Sequence, residues 1–159
     1  MSSHRRRRPN ESGFSLIELM IVIAIIGILI AVGVTGWKAA VRSANEAAAV
    51  QNLRALTQHQ MLYYNSHQRS AYGTFDELVK EGVTEAKFAG TAPVADGYIY
   101  TMRVVPKTTS TPPSYSINAD PQVKEGVGAT GRNHFYTDSD KNTIHVNKDQ
   151  PAAATDPSI

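Results

Sequence analysis

From Leu19 to Val34 every position is Ile, Leu, Val, Ala, Met or Gly, and none is charged. Extended to Phe14 and Trp37, the run is 24 residues with a single charge, Glu18. As a helix rising about 1.5 Å per residue it would measure roughly 36 Å, enough to cross a bilayer core of about 30 Å with some tilt. The pattern argues against a wholly soluble chain. Trp37 and Lys38 follow, an aromatic and a basic anchor where a membrane interface would begin.

Past the apolar run the pattern changes but the helix does not stop. Residues 38–64 hold no Gly or Pro and many strong helix formers. Val50, Leu53, Leu56, Met61 and Tyr64 fall within about 140° of arc at 100° per residue, a stripe suited to packing on a globular head. The predicted helix runs from about Ser15 to Tyr64, near 75 Å in length. Gly27, Ala31, Thr35, Ala39, Ser43 and Ala47 form a row of small residues at i+4 spacing. Such a row is either a seam for close helix approach or a by-product of a region rich in alanine.

Thr74-Phe75-Asp76-Glu77 has the S/T-x-x-E spacing of a capping box, which predicts a short helix over 75–81, stopped at Gly82. A loop carries the chain to Gly97. Alternation then predicts strands at 98–105, 115–118, 133–137 and 143–146, with the Thr/Ser/Pro run between the first two as a hairpin tip. The fold class expected is α+β: a long N-terminal helix packed on a small antiparallel sheet of three or four strands. Residues 151–159, small, polar and proline-bearing, read as a disordered tail.

Charge divides the 159 residues further. Lys and Arg number 16 against 14 Asp and Glu, close to neutral overall. Residues 1–13 contain four consecutive arginines and one glutamate, so the remainder holds 12 basic and 13 acidic side chains. Basic residues before the first span stay cytoplasmic, which orients the chain N-inside. A secretory signal would have a shorter apolar core and a cut after it. Here the apolar run is longer and helical sequence continues behind it.

The residues at the junction, Gly13-Phe14-Ser15-Leu16-Ile17-Glu18 followed by the unbroken span to Ala31, resemble the cleavage and methylation segment of the type IV pilin family, which includes the pseudopilins of type II secretion. The resemblance implies cutting between Gly13 and Phe14 by a prepilin peptidase, N-methylation of Phe14, and a span that serves as membrane anchor and then as filament core. It implies a ladle-shaped subunit without a cofactor. Its partners would be further copies and other pilins, the inner membrane and the pilus assembly machinery. The domain plan would be a leader at 1–13, a filament-core helix at 14–37, and a head with the helix continuation at 38–150. A carboxylate within the span is costly. Glu18 either reaches the headgroups or accepts a charge-assisted bond from the Phe14 ammonium of a neighbouring subunit. Many members of that family carry a proline where Thr35 stands, so any kink would rest on Gly33 and Gly36.

Three functions stay open on sequence alone. The first is a prepilin that polymerises into an extracellular type IV pilus for attachment, motility or DNA uptake. The second is a pseudopilin of a periplasmic secretion piston, and the remote third a membrane-anchored enzyme or sensor domain. The chain has no cysteine, which removes disulfides, thiolate metal sites and thiol nucleophiles. His59, His67, His134 and His145 lack metalloprotease spacing, and no nucleophile elbow or phosphate loop occurs. No basic stripe with interleaved aromatics supports direct nucleic-acid binding. Asp138, Asp140, Asn142 and Asp149 mimic part of a calcium loop, but Thr143 replaces its glycine, and a polar turn between two strands explains the same residues. The Asn10 sequon falls in the leader.

Overall fold

The computed structural model describes residues 13–126 and 128–159, with Thr35 described by its backbone alone. The four arginines at 5–8 and the Asn10 sequon lie outside the described residues. Helix α1 spans Leu16–Ser66 and α2 spans Phe75–Lys80, followed by a 3-10 turn at Ala86–Phe88. Strands β1 (Val94–Ala95), β2 (Tyr98–Val105), β3 (Ser114–Pro121), β4 (His134–Asp138) and β5 (His145–Asn147) form one sheet in sequence order, every neighbour antiparallel. The chain divides into two compact units, 1–38 and 39–159.

In the second unit the expected α+β architecture is present, with five strands where three or four were expected. The added strand is β1, joined to β2 by Asp96 and Gly97 at φ 52° and 75°. Two successive left-handed residues make the tight turn that matches the twist of a hairpin, and Asp-Gly supplies it readily. Strand β3 extends to Pro121 rather than ending at Asn118, because it pairs with β2 along its length and with β4 over Ser116–Ala119. Helix α2 begins as expected. The Thr74 hydroxyl accepts from the Glu77 N–H and the Glu77 carboxylate accepts from the Thr74 N–H.

The core is built from Ala49, Leu53 and Leu56 of α1 against Tyr98, Tyr100, Tyr115, Ile117, Ala119 and Phe135 of the sheet, closed by Phe75 and Phe88. Burying each large apolar side chain contributes about 1.5–3 kcal/mol. The three tyrosines keep their hydroxyls partnered. Tyr98 donates to the Asn133 carbonyl, Tyr100 accepts from Asn52, and Tyr115 donates to Asn142 Oδ1. Burial pushes the Tyr100 and Tyr115 phenols up to about 12, and Tyr98 higher still.

The buried helix face is not quite the one the apolar stripe implied. Met61 is 42% exposed and Tyr64 only half-buried, whereas Gln60 and Tyr63 point inward. The inward register is Ala49, Leu53, Leu56, Gln60, Tyr63, alternating steps of four and three. Gln60 belongs there because its amide is satisfied. Its Nε2 donates to the Gly73 carbonyl at 2.6 Å, and its Oε1 accepts from the Gly73 N–H at 3.0 Å. The amide thus fastens the chain that leaves α1 back onto it. Gln60→Leu strands two buried backbone groups, each costing about 1–3 kcal/mol. Chemical denaturation should show a loss of at least about 2 kcal/mol, and a stability within experimental error of the parent would refute the clamp.

The segment 151–159, expected to be disordered, is ordered against the sheet. The Val146 N–H donates to the Pro157 carbonyl and the Ile159 N–H to the Ile144 carbonyl, so the last residues pair with the β5 edge. Before that, Ala152 is buried and its carbonyl accepts from Asn118 on β3. Asp156 closes a turn onto the Ala153 N–H and receives Asn147. Its backbone carbonyl bonds His145 Nδ1. The apolar content of this tail is small, and the free β5 edge supplies the hydrogen bonds that composition could not reveal.

Candidate processing and assembly segment

Gly13, Phe14 and Ser15 precede α1 and lie in the open. Phe14 is 89% exposed, and a Cβ built on Gly13 meets no atom within 4 Å. The 13–14 junction is therefore an accessible, non-helical peptide bond at the very start of an apolar helix. The Ser15 carbonyl accepts from the Leu19 N–H at 3.2 Å, opening the first turn. The Glu18 carboxylate accepts from the Ser15 N–H at 2.8 Å. Ser15-Leu16-Ile17-Glu18 thus has the same S/T-x-x-E spacing as Thr74 to Glu77, and its glutamate makes the same return bond. An acid in the first turn also complements the positive end of the helix dipole. This local capping role of Glu18 was readable from the spacing but was not among the expected ones.

From Gly13 to Val34 every described side chain is exposed, on all sides of the helix. Among the described residues α1 is the helix long and apolar enough to cross a membrane, and none of its apolar stretch is buried within the protein. A helix apolar all round requires lipid or other helices around it. Gly27, Gly33 and Gly36 have open space where a Cβ would stand, and all three lie inside uninterrupted helix.

Beyond the span, several polar positions of α1 are used rather than solvated. Arg42 donates to the carbonyls of Ala129 and Gly126, and Asn45 to that of Thr130. Glu46 accepts from the Arg132 N–H at 2.8 Å and from the Asn133 amide at 2.7 Å. Asn52 bonds both Asp96 and Tyr100. Three side chains in succession therefore hold the 126–133 connection through its backbone. Sequence reasoning missed them because the partners lie 84–87 positions away.

The four calcium-loop candidates are not brought together. Asp138 Oδ1 accepts from the Asp140 and Lys141 N–H groups, the polar-turn alternative. Asn142, at φ 53°, has its side-chain oxygen committed to Tyr115. Asp149 lines a separate hollow with Lys124 and Arg132. Among the described residues, no group of three or more His, Asp or Glu side chains is placed to hold a metal ion. His134 and His145 are buried on paired strands, His134 against Asp120 and His145 between Thr143 and the Asp156 carbonyl.

Residues 8–34 match the family described as the prokaryotic N-terminal methylation motif. Over 64 residues the chain is 39% identical to the type IV major pilin protein PilA of Myxococcus xanthus (strain DK1622), a stretch covering 40% of this chain and 29% of that protein. The match thus spans less than a third of the length of that curated relative. No solved structure matches the chain significantly. The chain carries a type IV prepilin-like N-methylation motif and is distantly similar to a type IV major pilin.

Proposed function

We propose that this chain is a prepilin, cut between Gly13 and Phe14 and methylated on the Phe14 amine. Its mature form polymerises through α1 into a type IV pilus, with the inner membrane as its reservoir. Its role is structural rather than enzymatic. The observation that carries this reading is the single carboxylate, Glu18, four residues past an accessible Gly-Phe junction at the start of an apolar helical stretch with no protein cover. In lipid the uncovered surface is at rest. In a filament the same surface packs on copies of itself, and the helix becomes the core.

Processing also explains the charge distribution. The arginines before Gly13 fix orientation during insertion and are then discarded. From Lys38 onward the chain balances at 12 basic against 12 acidic side chains, which removes net repulsion between packed heads. The prepilin peptidase, further pilins and the assembly machinery are the partners this reading requires. Mass spectrometry of material sheared from cells tests it directly. The expected N-terminal peptide begins at Phe14 and carries one extra methyl group. A sheared or membrane-held protein that still begins upstream of Gly13 would overturn the reading, and mature protein confined to the envelope would point to a periplasmic pseudopilus instead.

A further inference from the structure

The outer face of the sheet, opposite α1, is divided in two. Over Asn118 and His145 the C-terminal segment lies across it, with the Ala152 carbonyl on Asn118 and the Asp156 carbonyl on His145. The other half, nearer the β2–β3 hairpin tip, is left open as a cleft of about 290 Å³. Its floor is a cross-strand row. Arg103 of β2 stands opposite Ser116 of β3, which stands opposite Asp138 of β4. Ser114, Tyr136, Ser139 and Asp140 line it further, with Val105 and Tyr115 at its apolar margin.

We propose that this cleft binds a neutral, polyhydroxylated ligand, one pyranose ring of a saccharide. The argument is one of matched chemistry. Arg103 is exposed and, among the described residues, makes no ion pair, so a planar set of N–H donors faces the cleft without a carboxylate partner. At the other end of the row the Asp138 carboxylate accepts from the turn amides through Oδ1 and from the Tyr136 hydroxyl, and with about four acceptor sites in all it keeps capacity for a ligand. Serine hydroxyls between and beside them both donate and accept, and the half-buried Tyr136 ring adds an apolar surface for C–H groups.

Three strands at about 4.8 Å spacing set the ends of the row roughly 10 Å apart, the width of a pyranose with its hydroxyls. Alternative ligand classes fit less well. Asp138 and Asp140 repel a phosphate or carboxylate, Arg103 repels a simple cation, and the mostly polar lining gives a hydrocarbon little to bury. The site is independent of polymerisation and stands whether or not the helix assembles.

The test uses the full chain in a zwitterionic detergent that is not itself a glycoside. Saturation-transfer NMR is run with the methyl glycosides of glucose, galactose, mannose and N-acetylglucosamine, and with inorganic phosphate as the charged control. Transfer to at least one glycoside and none to phosphate is expected. Arg103→Ala should weaken that binding at least tenfold. Asp138→Asn should do the same, although asparagine retains an oxygen for the turn amides. Unchanged thermal melting of both variants separates lost binding from lost fold, and if Asp138→Asn melts early the exposed Arg103→Ala carries the test alone. Silence from all four glycosides, a phosphate signal as strong as theirs, or binding indifferent to Arg103→Ala would each overturn the proposal.

Discussion

Glu18→Gln is expected to be made, inserted and cut normally, and to reduce sheared surface filaments at least tenfold. Glutamine keeps the length of the side chain and an oxygen that can accept from the Ser15 N–H, the bond Glu18 makes at 2.8 Å. The helix start therefore survives, and only the negative charge is lost. In the proposed filament each subunit brings one ammonium, on the processed Phe14, into a core without water. Removing one partner of a buried ion pair costs about 3–5 kcal/mol, and the cost recurs with every subunit added. Glu18→Ala removes the local bond as well and should add about 1 kcal/mol of lost capping. Immunoblots of the sheared and membrane fractions, with mass spectrometry of the N-terminus, read assembly and processing separately. Parental filament levels from Glu18→Gln would dismiss the charge pair. An uncut precursor would reassign Glu18 to recognition by the peptidase.

The parts of this molecule that are legible in sequence depend on near neighbours. The apolar run and the capping box at Thr74 are each read from contiguous residues, and the structure places the helix starts and the whole of β2 where those patterns put them. Errors arise where a distant partner overrides local preference. The strand expected at 115–118 stops short of Ala119, Asp120 and Pro121, yet β2 holds all three in the ladder. Gln60 is no part of the apolar stripe, yet Gly73 satisfies its amide in the core. The tail reads as disordered, yet the β5 edge pairs with it. Arg42, Asn45 and Glu46 belong to the same class, since their contribution depends on a connection more than eighty residues later. One miss was avoidable, because Asp96-Gly97 is a strong local hairpin signal and β1 follows from it.

That connection has one position where a single methyl group should undo the head. Gly131 is buried beside Tyr98, and a Cβ there would stand 2.1 Å from the Tyr98 hydroxyl oxygen and 2.7 Å from its ring carbon Cζ. The tyrosine cannot yield. It is fully buried among core residues, and its hydroxyl is held at 2.9 Å by the Asn133 carbonyl. Nor can the backbone retreat freely, because the flanking Thr130 carbonyl and Arg132 N–H are bound by Asn45 and Glu46 of α1. Gly131→Ala is therefore expected to destabilise the head by about 3 kcal/mol or more, at or beyond the upper end of ordinary overpacking. Tyr98→Phe alone removes a buried hydrogen bond and should cost about 1–2 kcal/mol, since the Asn133 carbonyl loses its donor. Combined with Gly131→Ala, however, it deletes the atom that the new methyl strikes first. The double variant should thus be more stable than the sum of the two single losses by at least about 1 kcal/mol, the coupling expected of residues in direct contact. Denaturant unfolding of the four proteins completes the cycle. Strict additivity would show that the loop moves as a body to admit the methyl, and that Arg42, Asn45 and Glu46 do not hold it in place.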